Sequence, residues 1–298
     1  GQSQLLYSIN KPGSTVTSYL YGTIHMGDSV LHSWDDKFYE AFYSCDALVG
    51  ELVLVNDSID VQRDMLKIIA PMIMAPYEGT VSADTMKFII DYLTAEFDSA
   101  TAEGLTKIKP FWSMLLTDQL LKIKQANLAD TLEFVEEPEN TDTLSYFAID
   151  IQLQYMANEV GMEVSELETM QSQIDLIFSL GENVTWGTFY DFIKKPWELN
   201  ALGSNVSPDG IREDYLKQDA AALANLFIET GISKENKKLF FIDRNMKMEK
   251  GMIDFMSDNR KYFFAVGAGH LFGTDGLLDL LSKSGYTLTP VPFTFTKL

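Results

Sequence analysis

Two stretches near opposite ends of the chain share the pattern Gly-x-x-His at the end of an apolar run. The first is Ser18-Tyr-Leu-Tyr-Gly-Thr-Ile-His25, and the second is Lys261-Tyr-Phe-Phe-Ala-Val-Gly-Ala-Gly-His270. The chain has only three His and 19 Gly among 298 residues, so two such spacings arise by chance roughly once in a hundred cases. Imidazoles bind transition metals and exchange protons near neutral pH. His25 and His270 are therefore the first candidates for a shared chemical site.

The residues before each histidine predict the elements that hold it. Residues 262–266 form a short run rich in aromatic and β-branched side chains, which is typical of a covered strand. Gly267 and Gly269 allow a tight turn and a close approach of the backbone to whatever His270 holds. We predict that the two chain ends meet in one sheet and present His25 and His270 from neighbouring loops. The alternative is that each histidine only caps its own turn.

A carboxylate interrupts the next apolar run, residues 47–54, which we predict to be a strand. Burial of Glu51 within it would cost several kcal/mol unless the carboxylate is paired or binds a metal. The alternative is an edge strand on which Glu51 faces water. We favour a site role, because this strand directly follows the first histidine loop. The third histidine, His32, precedes a predicted helix and is interpreted as a helix-terminus or surface residue.

The remaining pattern predicts an α/β fold in one domain. The central mixed sheet is formed by the N- and C-terminal segments, and a largely helical middle region around residues 58–238 flanks and caps it. Helices are predicted over residues 34–45, 58–74, 82–97, 109–125, 144–160, 169–180, 186–197, 211–230, 238–256 and 274–283. Further strands are predicted over residues 5–9, 16–21, 162–167 and 286–295, the last at a sheet edge because of Pro290 and Pro292.

Composition excludes several classes of function. The net charge of −20 argues against a nucleic-acid partner. A single cysteine, Cys45, excludes an internal disulfide and a cysteine-built zinc site. No apolar run is long enough for a transmembrane span. The chain begins Gly-Gln-Ser without Met, from which we expect an exported protein whose signal segment is absent here.

Six motifs in order resemble one known family. They are Gly22-Thr-Ile-His25, Asp46-Ala-Leu-Val-Gly-Glu51, Lys109-Pro-Phe-Trp112, Leu167-Glu-Thr-Met-Gln-Ser-Gln173, Asp243-Arg-Asn-Met246 and Val266-Gly-Ala-Gly-His-Leu-Phe-Gly-Thr-Asp-Gly-Leu277. This series resembles the TraB/GumN family, which includes the TIKI proteases and PrgY. The family is similar in fold to the erythromycin-esterase and ChaN-like proteins.

The resemblance implies a hydrolase, in the TIKI branch a peptidase, that uses a divalent transition metal such as Mn, Co, Zn or Fe. It places the metal on His25, His270 and Glu51. A carboxylate outside the metal shell could act as the base, and an arginine could stabilise developing negative charge. The expected catalytic residues are therefore Glu168, Arg244 and Asn245. The roles of the two glutamates remain interchangeable at this point.

Three interpretations of these residues follow, two of them functional. The first is a metal-dependent hydrolase acting on a peptide or another amide or ester through a metal-activated water. The second is a metal- or haem-binding protein on the same fold that does not hydrolyse its ligand. A third interpretation, in which these residues only maintain the fold, predicts that loss of both histidines lowers stability without changing metal content.

Overall fold

The computed structural model describes residues 4–26, 29–55, 61–74, 81–128, 148–195, 208–229 and 234–298. Six strands of this part of the chain form one mixed sheet. The strands are β1 (Leu6–Asn10), β2 (Thr17–Thr23), β3 (Ala47–Gly50), β4 (Glu163–Glu166), β5 (Tyr262–Gly267) and β6 (Thr287–Pro290). Their order across the sheet is β4-β3-β5-β2-β1-β6.

The strands from the two chain ends lie side by side, which confirms the predicted sheet. β2 from the N-terminal segment pairs in parallel with β5 from the C-terminal segment, and β5 also pairs in parallel with β3. β1 and β2, which correspond to the strands predicted over 5–9 and 16–21, form an antiparallel hairpin. The last strand, β6, pairs with β1 at the edge of the sheet.

The strand predicted over 47–54 is too long, since β3 ends at Gly50. After Glu51 the backbone leaves the sheet because the side chain of Gln154 takes over as its partner. Its amide oxygen accepts from the N–H groups of Leu54 and Val55 at 2.7 and 3.0 Å. Its amide nitrogen donates to the Leu52 carbonyl at 2.7 Å. Glu51 therefore lies just beyond the end of a strand and not within one.

The helices of the described chain surround the sheet or build a separate unit. They are α1 (Asp36–Tyr43), α2 (Val61–Ile73), α3 (Ala83–Glu96), α4 (Ser99–Thr106), α5 (Pro110–Leu128), α6 (Ile149–Glu159), α7 (Met170–Gly181), α8 (Trp186–Lys194), α9 (Pro208–Leu216), α10 (Ala220–Glu229), α11 (Lys234–Lys237), α12 (Asp243–Met256) and α13 (Leu277–Lys283). The starts of the helices predicted over 58–74 and 144–160, and the end of that over 186–197, lie outside the described residues.

Two of the predicted helices are not continuous α-helices in the structure. The helix predicted over 211–230 is split into α9 and α10, because Gln218 adopts a left-handed φ of 53°. That residue is buried, and its side chain accepts from the Leu5 N–H and donates to the Phe293 carbonyl. The helix predicted over 238–256 begins with a π-helical turn, Lys238–Ile242, and becomes α-helical only at Asp243.

The chain divides into two compact units. The first comprises Gly1–Ser58, Asn140–Met170 and Ser204–Leu298 and contains the sheet. Neighbouring residues of β5 belong to different buried clusters, Phe263 to one and Phe264 to the other. Because side chains alternate along a strand, both faces of the sheet are covered.

The second unit comprises Ile59–Glu139 and Gln171–Gly203. Its described residues have helices and no strands. Its buried core includes Ile89, Leu93, Trp186 and Phe189. No helix among the described residues of the whole chain has the length and apolar character needed to span a membrane.

Candidate functional site

The site lies in the first unit, where three parallel strands end at the same edge of the sheet. Thr23 of β2 is in register with Gly267 of β5, and Gly50 of β3 is in register with Ala265. The residues that follow these strands therefore meet at one edge, as ligand sites do in parallel sheets. Those residues include His25 after β2 and Glu51 after β3.

The two Gly-x-x-His loops pack directly against each other. A Cβ atom on Gly22 would lie 3.1 Å from the Cα and Cβ atoms of Ala268 and 3.1 Å from the side chain of Leu271. Such contacts are tighter than normal packing, so a side chain at position 22 would push the loops apart. Glycine at position 22 therefore lets the second loop approach closely without a shift of Ala268 or Leu271.

A buried chain of hydroxyl groups supports the first loop. The Tyr215 hydroxyl, on α9, lies 2.7 Å from both the Gly22 carbonyl oxygen and the Tyr21 hydroxyl. The carbonyl can only accept, so Tyr215 donates to it and accepts from Tyr21. Trp34 Nε1 in turn donates to Tyr21 at 3.0 Å. Every polar atom of this hydrogen-bond network thus has a partner, and the network fixes the position of Gly22.

Arg244, at the start of α12, joins the two predicted glutamates. Its Nε and Nη2 atoms donate to the two Glu168 carboxylate oxygens at 2.9 and 2.6 Å. Nη2 also donates to Glu51 Oε1 at 2.6 Å. A two-pronged arginine–carboxylate pair of this kind is short and geometrically specific. The three side chains form one cluster in which two carboxylates share a single guanidinium.

The second oxygen of Glu51 is held by the other strand. Glu51 Oε2 accepts from the Gly267 N–H at 2.8 Å. Burial raises the pKa of Glu51, although the Arg244 charge and the Gly267 N–H oppose this rise. These two donors thus offset part of the free-energy cost of burying the ionised carboxylate.

His270 is oriented by Asn245. Its Nδ1 atom lies 2.6 Å from the amide oxygen of Asn245, and the amide nitrogen of Asn245 donates to the Asp275 carbonyl at 3.0 Å. The Asp275 contact fixes the oxygen of the amide toward the ring, so Nδ1 carries the proton. Burial, with the nearby Arg244 charge, lowers the pKa of His270 to about 3. The ring is therefore neutral, and its Nε2 lone pair lies 3.9 Å from Glu51 Oε1.

His25 lies apart from this cluster and faces a carboxylate that sequence analysis missed. Its Nδ1 atom is 3.8 Å from Asp150 Oδ2, and the Thr23 hydroxyl donates to Asp150 Oδ1 at 2.7 Å. Asp150, with a smaller contribution from Glu51, raises the pKa of His25. The His25 side chain is 79% exposed, against 6% for His270. The sequence signal for Asp150 was weak, since it is an acidic residue in the first turn of a helix 125 positions from His25.

His32 and Cys45, which were not assigned to the site, are both buried. His32 is thus not a surface residue, and it stacks on Trp34 with ring centroids 6.0 Å apart. The Cys45 thiol is buried in the core, and burial raises its pKa to about 12. A thiol of this kind is a poor nucleophile at neutral pH.

Comparison with known proteins gives the family. The sequence profile of the TraB/PrgY/gumN family matches residues 5–290. The chain belongs to this family. The resemblance seen in the six sequence motifs is thereby confirmed.

The chain is also similar to a curated relative, the metalloprotease TIKI2 of Xenopus tropicalis. It is 21% identical over 334 residues, which cover 94% of this chain and 59% of the relative. The chain thus spans about 59% of the relative's length. No solved structure matches the chain significantly.

The side chains of His270 and Glu51 are of the types that bind divalent transition metals. A neutral imidazole with a fixed tautomer and a facing carboxylate are the groups that such metals select. In their present positions, however, no three His, Cys, Asp or Glu side chains of the described chain are grouped closely enough to hold an ion. Among the described residues, His270 and Glu51 therefore do not by themselves make up a metal site.

Proposed function

We propose that this protein is a metal-dependent hydrolase with peptidase-like activity on an amide or ester bond. The observation that carries the proposal is the pairing of His270 Nε2 with Glu51 Oε1 at 3.9 Å. The name of the TIKI2 relative, a metalloprotease, supports the same chemistry. When bound, a divalent transition metal would lower the pKa of a water molecule and polarise a substrate carbonyl.

We propose that His270, Glu51 and His25 hold the metal, which requires the exposed His25 side chain to turn toward the other two. Asn245 orients His270 and keeps its proton on Nδ1, so we assign it a positioning role. We assign Asp150 a similar role for His25, because its carboxylate faces the ring at 3.8 Å and a carboxylate beside a metal-binding histidine fixes the ring and strengthens it as a ligand. Arg244 donates hydrogen bonds to both Glu51 and Glu168 and thereby offsets part of the cost of burying the two carboxylates.

One observation favours the second candidate function, metal or haem binding without hydrolysis. Both oxygens of Glu168 accept hydrogen bonds from Arg244. A general base needs an oxygen within hydrogen-bond reach of the proton that it removes. Arg244 therefore occupies one lone pair on each oxygen, and hydrolysis through Glu168 has to use the second lone pair of one of them.

Metal content tests the proposal. We would measure it by mass spectrometry on protein purified without chelator or metal-affinity tag, beside the His25→Ala/His270→Ala double variant. Near-stoichiometric transition metal that is lost from a still-folded variant is the expected result. If neither protein holds or takes up metal, the site proposed here is wrong.

Activity distinguishes the two candidates. Peptide and ester substrates would be screened with the metal that the protein retains, using Glu168→Gln as the comparison. Loss of hydrolysis with unchanged metal content supports a hydrolase with Glu168 as base. Metal binding without any hydrolysis by the unmodified protein favours the binding function.

A further inference from the structure

The second unit contains a cavity that plays no part in the site described above. Its volume is about 480 Å³, and it lies between the first turn of α5 and the last turns of α7. Cavities of roughly 300–1,000 Å³ hold small ligands or single side chains of larger ones. All four residues of the Lys109-Pro-Phe-Trp112 motif line it, although none of them was assigned a role from the sequence.

Aromatic rings form much of the cavity wall. The ring centroids of Trp112 and Phe178 are 4.8 Å apart with the planes tilted by 43°, and those of Phe111 and Trp112 are 5.5 Å apart. Phe111 packs against Gly181, where a Cβ atom would lie only 2.6 Å from the phenyl ring. Glycine at position 181 therefore permits this placement of the ring, and the wall is a built feature of the unit.

The charges around the cavity favour a cation. Asp175 and Glu182 line it with exposed carboxylates, whereas Lys109 is the one basic residue of the lining. Aromatic faces attract cations, and indole does so most strongly. The net charge of −20 for the whole chain adds a general attraction for positively charged ligands.

We propose that this cavity binds an arginine side chain of a peptide. Arginine fits better than lysine, because its planar guanidinium stacks on aromatic rings and pairs with carboxylates through parallel hydrogen bonds. Trp112 and Phe178 provide the aromatic faces, and Asp175 and Glu182 provide the carboxylates. Lys109 has N–H groups to donate to a carbonyl oxygen of the same peptide. The inference does not depend on the proposed hydrolysis, since binding here needs no metal.

Calorimetry with two matched peptides tests the inference. The full chain, treated with chelator, would be titrated with a short Gly-Arg-Gly peptide blocked at both ends and with its citrulline counterpart. Citrulline has nearly the shape of arginine without the charge. We expect the arginine peptide to bind about tenfold more tightly, as one cation–aromatic contact and two exposed ion pairs allow.

Two protein variants localise the effect. Asp175→Asn/Glu182→Gln should weaken the arginine peptide about tenfold and leave the citrulline peptide unchanged. Asp91→Asn/Glu103→Gln is the matched control, because it makes the same change in net charge at exposed carboxylates of the same unit that do not line the cavity. It should leave both affinities unchanged.

Three results would overturn the inference. They are no measurable binding of the arginine peptide, equal affinity for the citrulline peptide, and an equal loss of affinity in the control variant. None of these bears on metal content or hydrolysis, so the cavity and the proposed function fail or stand separately.

Discussion

The amide oxygen of Asn245 lies 2.6 Å from Nδ1 of His270, and this contact sets the tautomer of the histidine. The proposed function predicts that Asn245→Ala weakens metal binding about 10- to 100-fold, as loss of such outer partners does at known metal sites. Competition with a chromogenic chelator would measure the affinity. Asn158→Ala, at an exposed position of α6, is the control and should bind metal normally. Unchanged affinity in a folded Asn245→Ala protein would show that Asn245 does not orient His270.

Arg244 should be essential for stability at neutral pH. Its side chain is 17% exposed and is paired with two carboxylates. Arg244→Met leaves these carboxylates without their cation and should cost about 3–5 kcal/mol in the free energy of unfolding. Arg260→Met removes a more exposed pair with Glu163 and should cost less than about 1 kcal/mol. Urea denaturation at pH 7 would compare the two variants.

The cost of Arg244→Met should shrink on acidification. Burial already raises the pKa of Glu51, and loss of the guanidinium raises it further. A carboxyl group whose pKa is higher in the folded than in the unfolded state stabilises the fold below the unfolded pKa, which is about 4.3 for glutamate. This contribution is lost as the pH rises through the folded pKa. Urea denaturation at both pH values would measure the loss in free energy of unfolding caused by Arg244→Met. A loss at pH 4 that equals or exceeds the loss at pH 7 would contradict this account.

Asp150 should determine the basicity of His25. Because Asp150 raises the pKa of His25, Asp150→Asn should lower that pKa toward the ordinary value of 6.5. NMR titration of the three histidine rings in metal-free protein would measure it, with His25→Gln to assign the signal. Asp254→Asn, at an exposed position of α12, should leave the pKa unchanged. The same pKa in Asp150→Asn and in the unmodified protein would exclude the proposed contact.

The Tyr215 hydroxyl should contribute to stability through the first histidine loop. Tyr215→Phe removes the hydrogen bonds that the Gly22 carbonyl and the Tyr21 hydroxyl make to the Tyr215 hydroxyl in a fully buried position, and Tyr21 keeps only its bond from Trp34. Such losses cost about 1–3 kcal/mol. Tyr43→Phe, at a side chain that is 44% exposed, should be close to neutral. Thermal denaturation of both variants would measure the difference, and equal melting temperatures would refute the role of this hydrogen-bond chain.

Local patterns in the sequence were sufficient for most of the elements. The covered strand β5, the β1–β2 hairpin and the Ser82-capped helix α3 are encoded by apolar runs, turn residues and a side-chain cap. The failures occurred where a distant partner overrides local preference. Gln154 draws the chain away from the sheet after Glu51, and Gln218 breaks a helix to bond with Leu5 and Phe293.

The sequence by itself determined the sheet from two chain ends and the residue types of the site, because short-range periodicity and repeated spacing record them. Only the tertiary structure decided which groups meet. It joined Arg244 to Glu51 and Glu168, set Asn245 against His270 and brought Asp150 to His25. These contacts link residues up to 193 positions apart. The packing of the strand ends determines which of these side chains meet, and local spacing along the chain does not.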